Sequence, residues 1–259
     1  YYAELRAGND LAAQTLKLLD WYFRDRVPLA SLDGGLPSAM ARALGWLQVN
    51  APDRVPEVAA RLRQAAPPEV LSLLDAWTYV AQGKAPNLLK NPSFEEAGEN
   101  QAQPEMDWST AGAPPGWSTW SRYPLPGQLR ATTEAAEGAR AASITQAESA
   151  CYLQNVPVQP GERYLCSLRA RRLPPDGRGQ VSLSVRWRAR GGGWLEDRSA
   201  ERTVNLPEFT SDWQSLYLLV DVPDNAGALV FMAIASNLGE AVTALFDDAG
   251  VYRVPAQQQ

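Results

Sequence analysis

The chain has 259 residues, enough for two modest domains that each bury a core. Its net charge of −5 argues against nucleic acid as the main partner, since phosphate neutralisation wants a basic domain. It contains no histidine, which removes Ser-His-Asp and Cys-His nucleophiles and His-based zinc sites. No apolar run approaches the roughly 20 residues of a membrane helix. The chain begins at Tyr1 without Met and with no signal peptide, which reads as a processed protein or a piece whose upstream domain is missing.

The first 83 residues read as a small helical domain. Leu11, Thr15, Leu18, Leu19, Tyr22 and Phe23 recur at three- and four-residue steps until Val27-Pro28 breaks the pattern. Pro37 opens a second helix with Met40, Leu44 and Leu47 on one face. A third covers 55–65. Pro67-Pro68 starts a fourth, which carries Val70, Leu71, Leu74, Trp77 and Tyr79 and ends at Gly83. Four short amphipathic helices with brief connections predict an antiparallel bundle. Trp21, Trp46 and Trp77 are expected in its core.

Lys84-Ala85-Pro86 is the linker, and the chain then changes character. Acidic and basic residues balance at nine each before Pro86, so the excess acid lies beyond it. Strand signals recur about every ten residues. In 163–171, Tyr164, Cys166, Leu168 and Ala170 share one face. In 180–189, Val181, Leu183, Val185 and Trp187 share one, with Ser182, Ser184, Arg186 and Arg188 on the other. Further strands are expected at 152–158, 213–220, 228–236 and 244–254. The pattern predicts an antiparallel β-sandwich over 87–254 with a short tail, 255–259. The fold class is therefore α + β in two domains. Cys151 and Cys166 permit one disulfide, but the Pro160-Gly161 turn does not place them opposite each other, which favours two separate thiols.

Six pieces in order carry a family resemblance: NLLKNPSFEE (87–96), PPGWSTW (114–120), EGARAAS (137–143), YLQNVPVQPGERYLCSLRARR (152–172), SDWQSLYLLVDVP (211–223) and LFDDAGVY (245–252). Together they resemble carbohydrate-binding modules of the family 4, 9 and 22 type, which have a galactose-binding-like jelly roll. The resemblance covers about two-thirds of the chain and implies that 87–96 is the first strand and 245–254 the last. It also implies a structural calcium between them, with Glu95 and Asp247 or Asp248 as side-chain ligands and carbonyls from 134–138. It places Trp117 and Trp213 in the core. The alternative for the carboxylates is a hydrated acidic cluster without metal.

Sugar rings stack on aromatic faces, so loop aromatics are the candidates for a ligand. Trp120 and Tyr123 lie in a Pro-rich stretch, and Trp194 follows Gly191-Gly192-Gly193. Trp108 is a weaker candidate, and Trp187 belongs with its strand's apolar face. Arg169 and Arg171 project from one predicted strand, and Arg186, Arg188 and Arg190 from the next. If those strands share a sheet, five guanidinium groups line one surface and suit an acidic polysaccharide. The plainer alternative is a solvated face balanced by Glu196, Asp197 and Glu201.

The expected function is a non-catalytic, extracellular or cell-surface polysaccharide-binding module, part of a larger glycan-active protein. Two alternatives stand beside it: a structural or assembly protein that self-associates through the sandwich, and the C-terminal fragment of a glycoside hydrolase. Glu95 with Asp247 is the one carboxylate pair that suits a glycosidase, and a structural role explains it more simply.

Overall fold

The computed structural model describes residues 56–57, 60, 68–96, 113–206 and 212–256. The three helices expected before residue 66 fall almost wholly outside these residues, as do Trp108 and the end of the tail. The chain divides into two compact units, Tyr1–Thr78 and Tyr79–Gln259.

Helix α1 runs Pro68–Ala81, as the Pro-Pro start predicts. It ends by a defined mechanism. Gly83 takes a φ of +70°, its N–H donates to the Val80 carbonyl, and the Lys84 N–H reaches back to Tyr79. This is the Schellman arrangement, in which glycine serves because a Cβ disfavours the left-handed turn. Leu73, Leu74, Ala76 and Trp77 are buried.

The second unit is an antiparallel β-sandwich of jelly-roll type. Its strands are β1 (Ser118–Ser121), β2 (Pro126–Thr132), β3 (Ala141–Ala147), β4 (Ser149–Pro157), β5 (Arg163–Leu173), β6 (Gln180–Ala189), β7 (Arg202–Asn205), β8 (Gln214–Asp221), β9 (Ala226–Ser236) and β10 (Thr243–Val254). One sheet has the order β1-β4-β9-β6-β7 and the other β2-β3-β10-β5-β8. The period-two faces read from the sequence are the ones that meet between the sheets. Tyr164, Cys166, Leu168 and Ala170 of β5 face Val181, Leu183, Val185 and Trp187 of β6 across one core.

An aromatic chain crosses that core. Trp117 stacks on Phe94 at 4.6 Å between centroids and meets Phe231 edge-on at 6.0 Å. Phe94 meets Tyr152, which in turn meets Phe246. The Trp187 indole N–H donates to the Ala200 carbonyl, so its polar handle is satisfied inside. Trp213 is only half buried, so of the two tryptophans assigned to the core, Trp117 alone belongs to it.

The segment 87–96 is not a strand. It is an irregular run that plugs a gap in the second sheet. β3 pairs with β10 only over Thr243–Phe246, and beyond that point the edge of β10 is taken by this segment. Leu88 N–H donates to the Val251 carbonyl and Ala249 N–H to the Pro92 carbonyl. Asn87 adds its side-chain amide, donating to Ala249 and accepting from Val251. The two ends of the sandwich do meet in space, as the resemblance implies.

The motif residues have identifiable work in this corner. Gln154 grips both the N–H and the carbonyl of Lys90. Asn91, buried and at φ +46°, bonds Glu96 and the Pro115 carbonyl, while its own carbonyl accepts the Trp117 indole N–H. Gly116, at φ +82°, passes so close to Lys90 that a Cβ would lie 2.6 Å from its Cβ. The Pro-Gly-Trp turn needs glycine there for space and for backbone angle alike.

Both cysteines are free and buried. Cys166 faces the core between the sheets, whereas Cys151 lies on the outer side of the first sheet with Val230 and Met232.

Candidate functional site

The outer face of the first sheet carries an apolar cluster outside the core. Cys151, Val230 and Met232 form a cluster separate from the core, with half-buried Leu153 and Ile234 packed against it. The strand register sets these side chains in rows. Trp120, Cys151, Ile234, Ser182 and Asn205 form one row across all five strands. Ser118, Leu153, Met232, Ser184 and Thr203 form the next. Asn155, Val230 and Arg186 follow, then Pro157, Ala228 and Arg188.

Trp120 therefore stands on edge strand β1, not in a loop, and its side chain shares the face of this cluster. It is 48% exposed. No aromatic or cationic group stacks on its ring among the described residues, so it remains available as a platform. Tyr123 lies in the connection to β2 and is 82% exposed.

Trp194 marks the opposite side. The turn through Gly191–Gly193 is tight: Ala189 N–H donates to Gly193, Gly192 N–H donates back to Ala189, and Gly192 sits at φ +93°. The chain returns to bridge Arg188 with Trp194. The indole is not a bare platform. The Arg186 guanidinium lies 4.1 Å and the Arg188 guanidinium 4.5 Å from its ring centroid, in cation–π contact. Arg186 also pairs with Glu201 at 2.7 Å, and Glu201 takes Arg198 with its other oxygen. Arg188 donates from Nε to Asn155 Oδ1 at 3.1 Å and from Nη1 to the Gly192 carbonyl at 2.9 Å.

The five-arginine surface does not form. β5 and β6 belong to different sheets, so Arg169 and Arg171 lie on the far side of the sandwich from Arg186 and Arg188. There they pair with Glu137 and Glu134. Equal spacing along two strands cannot reveal that the chain crosses between layers in going from one to the other.

Glu95, Asp247 and Asp248 meet the loop 134–140, but the loop presents amide hydrogens to the carboxylates. Glu95 Oε1 accepts from Ala139 and Arg140 at 2.8 and 2.9 Å. Asp247 Oδ2 accepts from Ala136 and Glu137, and its Oδ1 from the Asp248 N–H. Burial pushes the Asp247 carboxyl up to about 6 against the pull of those amides. Asp248 is raised too, by burial and then by Glu137, with Arg169 opposing.

Calcium wants six to eight oxygen ligands. Here the lone pairs of Glu95 and Asp247 that face the loop are spent on N–H donors, and no group of three or more acidic or thiol side chains converges among the described residues. The arrangement does not fit calcium. The amide dipoles of the loop take over the task of quieting the buried Asp247 and the exposed Glu95.

The apolar residues of the outer face were not singled out from the sequence, yet a signal was there. An antiparallel strand with one wet face should alternate, whereas 226–235 reads AGALVFMAIA without a charge. A strand apolar on both faces must cover something on its second side.

No family model matches the chain, and no curated protein matches it. Solved structures similar to it include carbohydrate-binding modules of families 4, 16 and 61. The family 4 module is 24% identical with a TM-score of 0.42, over 64% of this chain and 99% of that one. A cyclase from Fischerella sp. TAU is 16% identical with a TM-score of 0.46, over 67% of this chain and all of that one. The enzymatically active domain of bacteriophage CBA120 tailspike protein 4 is 12% identical with a TM-score of 0.46, and the 65% of this chain that matches spans only 21% of its length.

Proposed function

We propose that the sandwich is a non-catalytic carbohydrate-binding module and that its ligand lies on the outer face of the β1-β4-β9-β6-β7 sheet. The observation that carries this reading is the row structure of that face. An available indole, Trp120, stands at one edge. Half-buried Leu153 and Ile234 lie inward from it over a buried layer of Cys151, Val230 and Met232, and Asn155, Arg186 and Arg188 supply polar groups beyond. Apolar and aromatic surface with a few fixed polar groups is the general composition of small-molecule sites. Sugar C–H faces suit the indole and the accessible parts of Leu153 and Ile234, and hydroxyls suit the amide and guanidinium groups. A polysaccharide ligand implies an extracellular or cell-surface location and a tethering role for a larger protein.

The test is affinity gel electrophoresis against a panel of soluble polysaccharides with the parent and Trp120→Ala. Binding to at least one glycan, weakened about tenfold or more by Trp120→Ala with an unchanged melting midpoint, is the expected result; an aromatic anchor of this kind contributes on the order of 1–3 kcal/mol. Binding unaffected by the substitution would remove the site from this face.

Self-association is the second reading, favoured by the exposure of Trp120, Tyr123 and Leu125 beside an edge strand. Size-exclusion chromatography over a concentration series separates the two. Dimers that dissociate in Tyr123→Ser or Leu125→Ser support assembly, and a monomer throughout counts against it.

A further inference from the structure

We propose that the glycan taken by this face is an acidic one, and that Arg188 receives its carboxylate. This rests on the carbohydrate reading above and adds the ligand's charge and the group that recognises it.

The charge balance around Trp194 is uneven. Arg186 is neutralised by Glu201, whose second oxygen is committed to Arg198. Asp197 is committed to the Ser199 N–H. Arg188 has only neutral acceptors, the Asn155 side-chain oxygen and the Gly192 carbonyl. No carboxylate pairs with it among the described residues. It is not a loose surface cation either, because two hydrogen bonds and the Trp194 ring fix its plane. A guanidinium carries five N–H donors. Two point at these neutral acceptors, and those on Nη2 have no protein acceptor among the described residues. A planar cation held by neutral partners with one edge left open is built for a planar anion, and bidentate carboxylate is the best match. Structural ion pairs do the opposite: they use up the charge, as Arg163 does with Asp221 and Arg171 with Glu134.

Position adds to the argument. Arg188 lies six residues along β6 from Ser182, the row of Trp120, and β6 is three strands away from β1. At ~3.3 Å per residue and ~4.8 Å per strand, the two anchors stand about 25 Å apart across the sheet. A single sugar cannot touch both. A chain of sugars that stacks on Trp120 and crosses Leu153 and Ile234 can present a uronate at Arg188. The protein's net charge is −5, so a polyanion gains nothing from the molecule as a whole, and Arg188 supplies the aimed cation.

The experiment measures binding of the full chain to polygalacturonate, to its methyl-esterified form, which has the same backbone without charge, and to dextran sulfate. The proteins are the parent, Arg188→Gln, Arg188→Lys and Trp120→Ala, each checked for an unchanged circular dichroism spectrum. Alginate serves as a second uronate. The expected result is at least tenfold preference for a uronate over the esterified polymer. Arg188→Gln abolishes that preference, and Arg188→Lys restores it only partly because the fork is lost.

Equal affinity for the charged and esterified polymers, or a preference that survives Arg188→Gln, overturns the acidic-glycan assignment and leaves the carbohydrate reading intact. Stronger binding to dextran sulfate than to either uronate overturns the carboxylate assignment in favour of sulfate. Absence of binding to every glycan, charged or neutral, overturns both readings. Loss of all binding in Trp120→Ala with retention of weak, unselective binding in Arg188→Gln supports the two-anchor arrangement.

Discussion

Single side chains here do their work through the number of partners they satisfy, and Glu162 illustrates it. Its Oε2 accepts from the Tyr164 hydroxyl at 2.6 Å and the Gln159 N–H at 2.8 Å, and its Oε1 pairs with Arg253. Desolvation works against its charge, but the Tyr164, Gln159 and Arg253 contacts outweigh it and hold the carboxyl below the usual glutamate range. The folded state thus binds the proton less readily than the unfolded one. The stability this contributes is present above the ordinary glutamate value of 4.5 and is lost as pH falls through the depressed folded value. Glu162→Gln should lower the melting midpoint by about 2–4 °C at neutral pH, with the gap to the parent narrowing as pH falls below the ordinary glutamate value of 4.5. Parallel melts across pH test it; a gap that stays constant on acidification would show that the charge of Glu162 contributes nothing.

At the level of elements, the loop 134–140 is tied to the second sheet through Glu95 and Asp247. Gly138 has φ +69°, and a Cβ there would overlap the Glu95 carboxylate. Gly138→Ala should destabilise the sandwich by about 1–3 kcal/mol, from backbone strain together with displacement of Glu95 from its amide pair. Urea denaturation measures it, and a loss below a few tenths of a kcal/mol would mean that the loop shifts freely. Because amides occupy the carboxylates, melts in EDTA and in added calcium should superimpose; a midpoint raised by calcium would show that the loop rearranges to offer carbonyl oxygens. The resemblance implies that these residues meet the loop 134–138, and the hydrogen bonds show Glu95 and Asp247 against it. The resemblance could not show which way the loop's peptide planes turn, and that orientation decides between a cation and an N–H donor.

Over the whole molecule, what the sequence revealed follows from what period-two patterns encode. β5 and β6 were legible on their inner faces because every second residue is apolar. β1, β2, β3 and β7 were missed: β1 and β7 have four residues each, Pro126-Gly127 interrupts β2, and β3 is buried on both faces over Ala141–Ile144, so none offers a clean alternation to read. The assignment of β5 and β6 to opposite sheets was hidden for a deeper reason. Alternation records which residues turn inward, and two facing layers share one inside. The site was half legible: Trp120, Trp194, Arg186 and Arg188 were named from composition and spacing, and the register alone brings them to one face. Arg169, with the same credentials, went to the other side.

The seam between residues 87–92 and β10 also bears on how the chain is made. Asn87 is bonded to partners 162 and 164 positions later, nearly the full length of the sandwich. A ribosome delivers Asn87 first and Val251 last, so during synthesis the early segment has no edge to dock on, and β10, which lies between β3 and β5, is absent from the middle of its sheet. Contacts of such separation form late and slowly. Nascent chains halted before Thr243 leave the β3 and β5 edges bare, and it is in that interval that the sandwich is most exposed to mispairing with a neighbouring chain.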